Sequence, residues 1–318
     1  MNSMTEDERY MARALQLARH GELSTAPNPM VGAVIVHDGR IIGEGWHRKY
    51  GGPHAEVNAV RSVRPADEPL LKDATIYVSL EPCSHWGKTP PCAELLVEKG
   101  FRRVVVGCED PNEKVAGRGI RRLREAGAEV VVGVLEEECR WLNRKFFTFH
   151  MLHRPYITLK WAQSADGFID RRRGSRADGE PVRFSNAWTQ TLVHRLRSLH
   201  QAILVGRRTW ELDAPSLTTR LWPGRNPDRL VLTNRSAGAL SVPLQEVACT
   251  HLTDGRLWDV EVQSVLVEGG AQTLQSFLDA DLWDEVFIEQ SEIVLGDGIK
   301  APEIKIDPKG RPIHVNFA

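Results

Sequence analysis

Leu80 to Cys92 reads LEPCSHWGKTPPC, and upstream Pro53 to Glu56 reads PHAE. Together they hold a His two residues before a Glu, and two cysteines that each follow a proline. These residue types point to a metal. Catalytic zinc takes three protein ligands and keeps one position for water, and His54, Cys83 and Cys92 supply the three. Glu56 lies two residues from His54 near an expected helix start, so it projects beside the metal rather than onto it. There it can take a proton from the attacking water and deliver it to a leaving amine. The helix N-termini expected to carry His54 and Cys92 favour the negative charge of a thiolate and a hydroxide.

Zinc enzymes that deaminate nucleobases carry H-x-E followed by P-C-x-x-C. The first half of that pattern is present. The second is stretched, because Ser84 to Pro91 separate the two cysteines. Those residues must loop out, and their His, Lys and Gly suit a phosphate. A structural zinc site, or a buried His with unrelated thiols, is the plain alternative. Closed structural sites take four ligands, and three fit here. Cys108, Cys139 and Cys249 read as small core residues.

Outward from this stretch, Thr5 and Glu8 form a capping box that opens a helix closed by Gly21. VGAVIV and IIGEGW flank Asp38-Gly39, a hairpin signal. Helices are expected from about Pro53, from Cys92, from Ile120 to Ala126, and from Glu136 through KFFTFHMLHRP. ATIYVSL, RRVVVG and EVVVGV read as strands. The pattern restarts at YITLKWA, which puts a domain boundary near His150 to Arg154. The second half alternates again: a helix from Ser185 to about His200, strands AILVG, RLVLT and SVLVEGG, a helix through Leu278, and strand EVFIEQ. Alternation of this kind implies α/β layers with mostly parallel sheets.

The 318 residues suffice for two domains. Lys and Arg number 41 against 42 Asp and Glu, so no whole-protein field draws in nucleic acid or an anionic membrane. Five cysteines suit a reducing compartment. No run approaches the length of a membrane span. The acidic start, Glu6-Asp7-Glu8, is unlike a signal peptide. A cytoplasmic protein is expected.

HAE, LEPCSHWGKTPPC and EDPNEKVAGRGI resemble the deaminase half of the bifunctional riboflavin-biosynthesis deaminase/reductase family, from about Tyr10 to Leu142. KWAQSADGFID and GRRTWELDAPSLTTR resemble its reductase half. The resemblance implies an N-terminal cytidine-deaminase-like three-layer domain, residues 1–150, and a C-terminal dihydrofolate-reductase-like domain, residues 155–318. It implies zinc-dependent hydrolytic deamination of a phosphoribosylaminopyrimidine, then NADPH-dependent reduction of its ribosyl group to ribityl. The implied deaminase contacts are Asn28, His47, His85, Lys88, Asp110 and Asn112. Lys88 and its loop would take the ribose phosphate, and Asp110 and Asn112 the sugar. In the reductase half, Arg197, Leu217, Arg220 and Glu268 would contact substrate. Gln163, Thr209, Asp213 and Asn234 would contact the cofactor, with Gly270, Ala271, Gln272, Thr273 and Leu274 at its phosphates. The paired glycines, Gly269 and Gly270, let backbone N–H groups approach a phosphate at a helix start. Asp213 is also the carboxylate to test as proton donor. Arg207 and Arg208 are candidates for a 2′-phosphate clamp or for exposed solubilising arginines.

The chain departs from the family at Pro181 and Arg183, in a short stretch between Arg235 and Gln263, and at the C-terminus. There RPIHVNF reads as one strand of an expected final pair. Four readings stay open: the two-step enzyme, a deaminase with a retired reductase half, a nucleic-acid base deaminase, and a non-catalytic zinc scaffold. Arg171, Arg172 and Arg173 form one local basic run that favours the third. A small-molecule substrate is expected, with no nucleic acid or membrane partner, and a homo-oligomer formed through the reductase domain.

Overall fold

A computed structural model describes residues 4–84, 90–112, 115–233, 245–248, 262–305, 307 and 309–317. The chain forms two units, Met1–Leu152 and His153–Ala318.

The first unit opens with helix α1, Glu6–Ala18. Its capping box is closed both ways: the Glu8 amide donates to Thr5 Oγ1 at 3.2 Å and the Thr5 amide to Glu8 Oε2 at 2.7 Å. Strands β1, Gly32–His37, and β2, Arg40–Trp46, form the hairpin. At its turn Asp38 and Gly39 take φ of 48° and 73°, as a two-residue turn matched to strand twist requires. Then come α2 (Ala55–Ser62), β3 (Thr75–Val78), α3 (Cys92–Glu98), β4 (Arg103–Val106), α4 (Arg118–Glu125) and β5 (Glu129–Val132). The sheet order is β2-β1-β3-β4-β5, antiparallel through β2-β1-β3 and parallel through β3-β4-β5. Successive β1 side chains serve opposite faces: Ala33 and Ile35 join one core, Val34 and Val36 the other. A sheet buried on both faces is a middle layer, hence three layers.

The single helix expected from Glu136 is two, α5 (Glu136–Leu142) and α6 (Arg144–Leu152). Asn143 breaks them, with φ −103° and ψ 23°. Its amide is used elsewhere: Nδ2 donates to Met30 O and Oδ1 accepts the Met30 N–H, both at 2.8 Å.

Two glycines of β2 let α2 lie directly on the sheet. A Cβ at Gly45 would stand 2.2 Å from Ala59 N and 2.5 Å from Ala55 O, and one at Gly43 2.7 Å from Ala59 O. Because those atoms are backbone, they cannot rotate away. Gly45→Ala is expected to destabilise the first unit by about 1–3 kcal/mol, read as a lower denaturation midpoint of the full chain.

The second unit holds β6 (Tyr156–Gln163), β7 (Phe168–Asp170), α7 (Ala187–Ser198), β8 (Ala202–Gly206), α8 (Arg207–Asp213), β9 (Asp228–Thr233), β10 (Gln245–Ala248), β11 (Ser264–Val267), an α9 helix (Ala271–Asp279), β12 (Glu285–Gln290), β13 (Ile299–Lys300) and β14 (Ile313–Phe317). Seven strands run in the order β10-β9-β8-β11-β6-β12-β14, every neighbouring pair parallel. β7 and β13 pair separately and antiparallel. RPIHVNF supplies β14, which takes the outer edge beside β12. Apart from β10, the short stretch between Arg235 and Gln263 lies almost wholly outside the described residues. Helix α8 was not among the expected elements; it arises inside GRRTWELD.

Candidate functional site

His54 is the residue just before α2, in extended backbone, and Cys92 is the first residue of α3. Cys83 lies on the chain leaving β3. His54 Nδ1 stands 3.5 Å from Cys83 Sγ and 3.3 Å from Cys92 Sγ, and the Cys92 amide donates to Cys83 Sγ at 3.3 Å. Their three ligand atoms all lie within 4.8 Å of one another. A tetrahedral zinc with Zn–N of about 2.0–2.1 Å and Zn–S of about 2.3 Å has N···S edges of roughly 3.5 Å, so the donor set fits that ion. The Cys83 thiol is pushed down to about 4 by its hydrogen bond with Cys92, with His54 adding to it, and a thiolate is the form a metal takes. Glu56, on the first turn of α2, is buried, and burial raises its carboxyl to about 7.

The loop before β1 brings a second group to this place. Asn28 Nδ2 lies 3.1 Å from His47 Nε2, and His47 Nδ1 lies 3.0 Å from Pro53 O. Burial lowers the His47 pKa, so its ring is neutral. The network then assigns Nδ1–H as donor to Pro53 and Nε2 as acceptor from Asn28. The imidazoles of His47 and His54 meet edge to face at 5.5 Å. Asn143 clamps this loop through Met30. Sequence reading missed it, since 113 residues separate the partners. Asp110 and Asn112 lie in the turn after β4, where the Asn112 amide donates to Asp110 Oδ1 at 2.8 Å and burial lifts Asp110 to about 6. His85 and Lys88 lie outside the described residues.

The second unit contains a cavity of about 1400 Å³. Thr209, Asp213 and Gly270 through Leu274 line it, as do Arg197, Leu217, Arg220 and Glu268. Gln163 is not among the lining residues. Its amide bridges Trp161 Nε1 at 2.8 Å and Gln290 Oε1 at 2.7 Å. Asn234 is outside the described residues. At the cavity wall the starts of α8 and α9 come together. A Cβ at Gly206 would stand 2.3 Å from Thr273 Oγ1, and one at Gly270, where φ is 65°, 3.0 Å from Thr209 Oγ1. Helix α9 has no side-chain cap, so its first amides suit a dinucleotide phosphate.

Arg197 and Glu268 form a two-pronged pair in the cavity wall, Nε–Oε1 2.8 Å and Nη2–Oε2 2.6 Å. The Arg171–Arg173 run is no basic patch. Arg173 is buried and donates to Asp170 Oδ2 at 2.6 Å and Asp213 Oδ1 at 2.5 Å, while Arg172 pairs with Asp297. Asp170, three residues upstream, was the only signal of this in the sequence. Arg207 and Arg208 line the cavity, but Arg207 Nε donates to Glu211 at 2.6 Å and Arg208 Nη2 to Arg173 O at 2.8 Å. Pro181 and Arg183 line it too.

Two family models match: the cytidine and deoxycytidylate deaminase zinc-binding region over residues 4–108, and the RibD C-terminal domain over residues 155–253. Riboflavin biosynthesis protein RibD of Aquifex aeolicus is 37% identical over 94% of this chain and 91% of its own length. That of Escherichia coli is 40% identical over 82% and 74%. Among solved structures, a diaminohydroxyphosphoribosylaminopyrimidine deaminase/5-amino-6-(5-phosphoribosylamino)uracil reductase from Thermotoga maritima superposes with a TM-score of 0.83, at 37% identity, over 96% of this chain and 93% of that one. RibD of Acinetobacter baumannii gives 0.80 at 32% identity, over 95% and 90%.

Proposed function

Because the chain belongs to the RibD family of bifunctional riboflavin-biosynthesis enzymes, we propose that Met1–Leu152 carries its deaminase and His153–Ala318 its reductase. The enzyme is a zinc-dependent pyrimidine deaminase and an NADPH-dependent reductase. Its substrate is a phosphoribosylaminopyrimidine, whose ring amine becomes a carbonyl before the ribosyl group is reduced to ribityl. The observation that carries this reading is the convergence of His54, Cys83 and Cys92 beside buried Glu56.

His54, Cys83 and Cys92 hold the zinc, which when bound supplies the Lewis acidity that makes a water nucleophilic near neutral pH. Glu56 moves the protons. Buried beside the three ligands, it takes one from the attacking water and returns one to the departing amine. Asn28 and His47 form one wall of the site, and His47 holds the Pro53 carbonyl next to ligand His54. Asp110 and Asn112 take the sugar, and Lys88 and His85 the phosphate end. Zinc removal by a chelator is expected to abolish deamination and leave NADPH oxidation on pre-deaminated substrate intact. Re-addition of about one zinc per chain restores it.

In the reductase, NADPH supplies the hydride. Gly270 to Leu274 hold its phosphates, Thr209 contacts the dinucleotide, and Arg197, Leu217, Arg220 and Glu268 hold the substrate. Asp213 is assigned to anchoring the dinucleotide rather than to proton donation, because its Oδ1 is committed to Arg173. The nucleic-acid reading is not favoured, since relatives match across both halves. Among the described residues no helix is long and apolar enough to cross a membrane. Cys108 and Cys139, buried and in no disulfide, support a cytoplasmic setting. Half-exposed Ile313 and Val315 on the edge strand β14 support pairing of reductase halves; light scattering that gives a monomer mass counts against it.

The test of the whole reading is product mass. Without NADPH the substrate gains about one mass unit, and with NADPH about two more. A zinc-loaded protein that gives neither gain overturns it.

A further inference from the structure

Glu81 is the second residue of LEPC, two positions before Cys83, and is buried. Its carboxylate accepts four backbone N–H groups. Oε1 takes those of Gly119 at 2.9 Å and Ile120 at 3.2 Å; Oε2 takes those of Gly117 at 2.9 Å and Asp110 at 3.2 Å. Gly119 and Ile120 belong to the first turn of α4. The residue that precedes this helix, Gly117 at φ 70°, has no side chain to cap it. The cap therefore comes from Glu81, distant in sequence. Gly117 and Asp110 bound the loop that carries Asn112, so one side chain pins both ends of that loop. From Asp110 the pin passes inward, because its Oδ1 holds the Asn112 amide. The two segments also touch directly: a Cβ at Gly119 would stand 1.9 Å from Pro82 O.

We infer that Glu81 is a positioning residue of the deaminase, fixing the loop that bears Asp110 and Asn112 against the segment that bears Cys83. Recognition of the sugar is thereby tied in register to the metal. This rests on the reading of Asp110 and Asn112 as sugar contacts. The carboxylate is required by its inventory of lone pairs. Two oxygens accept four N–H groups, whereas the amide of Gln offers one acceptor oxygen and turns its own NH₂ toward two of the donors.

Full-length Glu81→Gln and Glu81→Asp are to be compared with the parent for zinc content, NADPH-dependent reduction and deaminase steady-state kinetics. Asp110→Asn and Asn112→Ala are run alongside. The expected result for Glu81→Gln is a KM for the phosphoribosyl substrate raised roughly tenfold or more, with kcat changed far less. Zinc and reduction are retained, and Glu81→Asp lies between Gln and parent. An unchanged KM, a fall in kcat alone, or loss of zinc from both Glu81 variants overturns the inference. If Asp110→Asn and Asn112→Ala leave KM unchanged, the sugar reading itself fails. If they raise KM and Glu81→Gln does not, only the positioning role fails.

Discussion

Glu56→Gln is expected to lower deamination by roughly 10²–10⁴-fold while zinc content and NADPH-dependent reduction stay at parent values. The substitution keeps shape and volume at a buried position and removes only the ability to take and return a proton. Glu56 is not needed to complete the metal site, because the converging donor atoms are His54 Nδ1 and the two sulfurs. The expected pattern is thus a metal-loaded, folded deaminase that turns over too slowly. Metal analysis and single-turnover mass measurements on the same sample read it out. A variant that loses zinc along with activity, or that keeps near-parent turnover, contradicts the assignment.

The second large effect is expected at Arg197→Met. The side chains of Arg197 and Glu268 are largely but not fully enclosed in the wall of the reductase cavity, 12% and 8% exposed, and are joined by two charge-assisted hydrogen bonds. Removing the guanidinium leaves an unpaired carboxylate there, which costs about 3–5 kcal/mol. It also frees Thr218 O, which Arg197 Nη1 holds at 3.1 Å just after Leu217. Reduction is expected to collapse and the denaturation midpoint of the full chain to fall, with deamination by the folded fraction preserved. Adding Glu268→Gln to Arg197→Met removes the stranded charge. The double variant should recover stability without recovering reduction, a separation that denaturation and NADPH oxidation measure independently.

Much of the deaminase centre was legible in the sequence because its chemistry is written in short local spacings. His54 and Glu56 are two residues apart, and each cysteine follows a proline at the start of a segment that must turn. The parts that stayed hidden are long-range or disguised. Nothing near Asn143 announces that its amide closes on Met30. Glu81 looks like a surface acid until its four amide donors are seen. Arg173 sits in a run of three arginines that composition reads as a basic patch, yet it is buried against Asp170 and Asp213. Of the reductase strands, β6, β8, β9, β11, β12 and β14 were recognisable as apolar runs, while the short β7, β10 and β13 were not, and the spatial order stayed hidden because parallel pairing leaves no hairpin signal between partners. Helix α8 was hidden for another reason: it is seven residues long and has no side-chain cap.

The strand order of the second unit has a consequence for how the protein is made. β6 leads that unit in sequence yet lies inside its sheet, paired with β11 through Tyr156 and Ser264 and with β12 through Thr158 and Glu285. A ribosome therefore releases β6 long before either neighbour exists, and the strand must wait with both edges open. Parallel pairings across such separations nucleate slowly, whereas the hairpin of β1 and β2 closes within one turn. Synthesis thus favours a chain whose first half has collapsed around its thiols while its second is still an unpaired, aggregation-exposed strand. Chaperone demand and yield at high expression rates should accordingly track the reductase half.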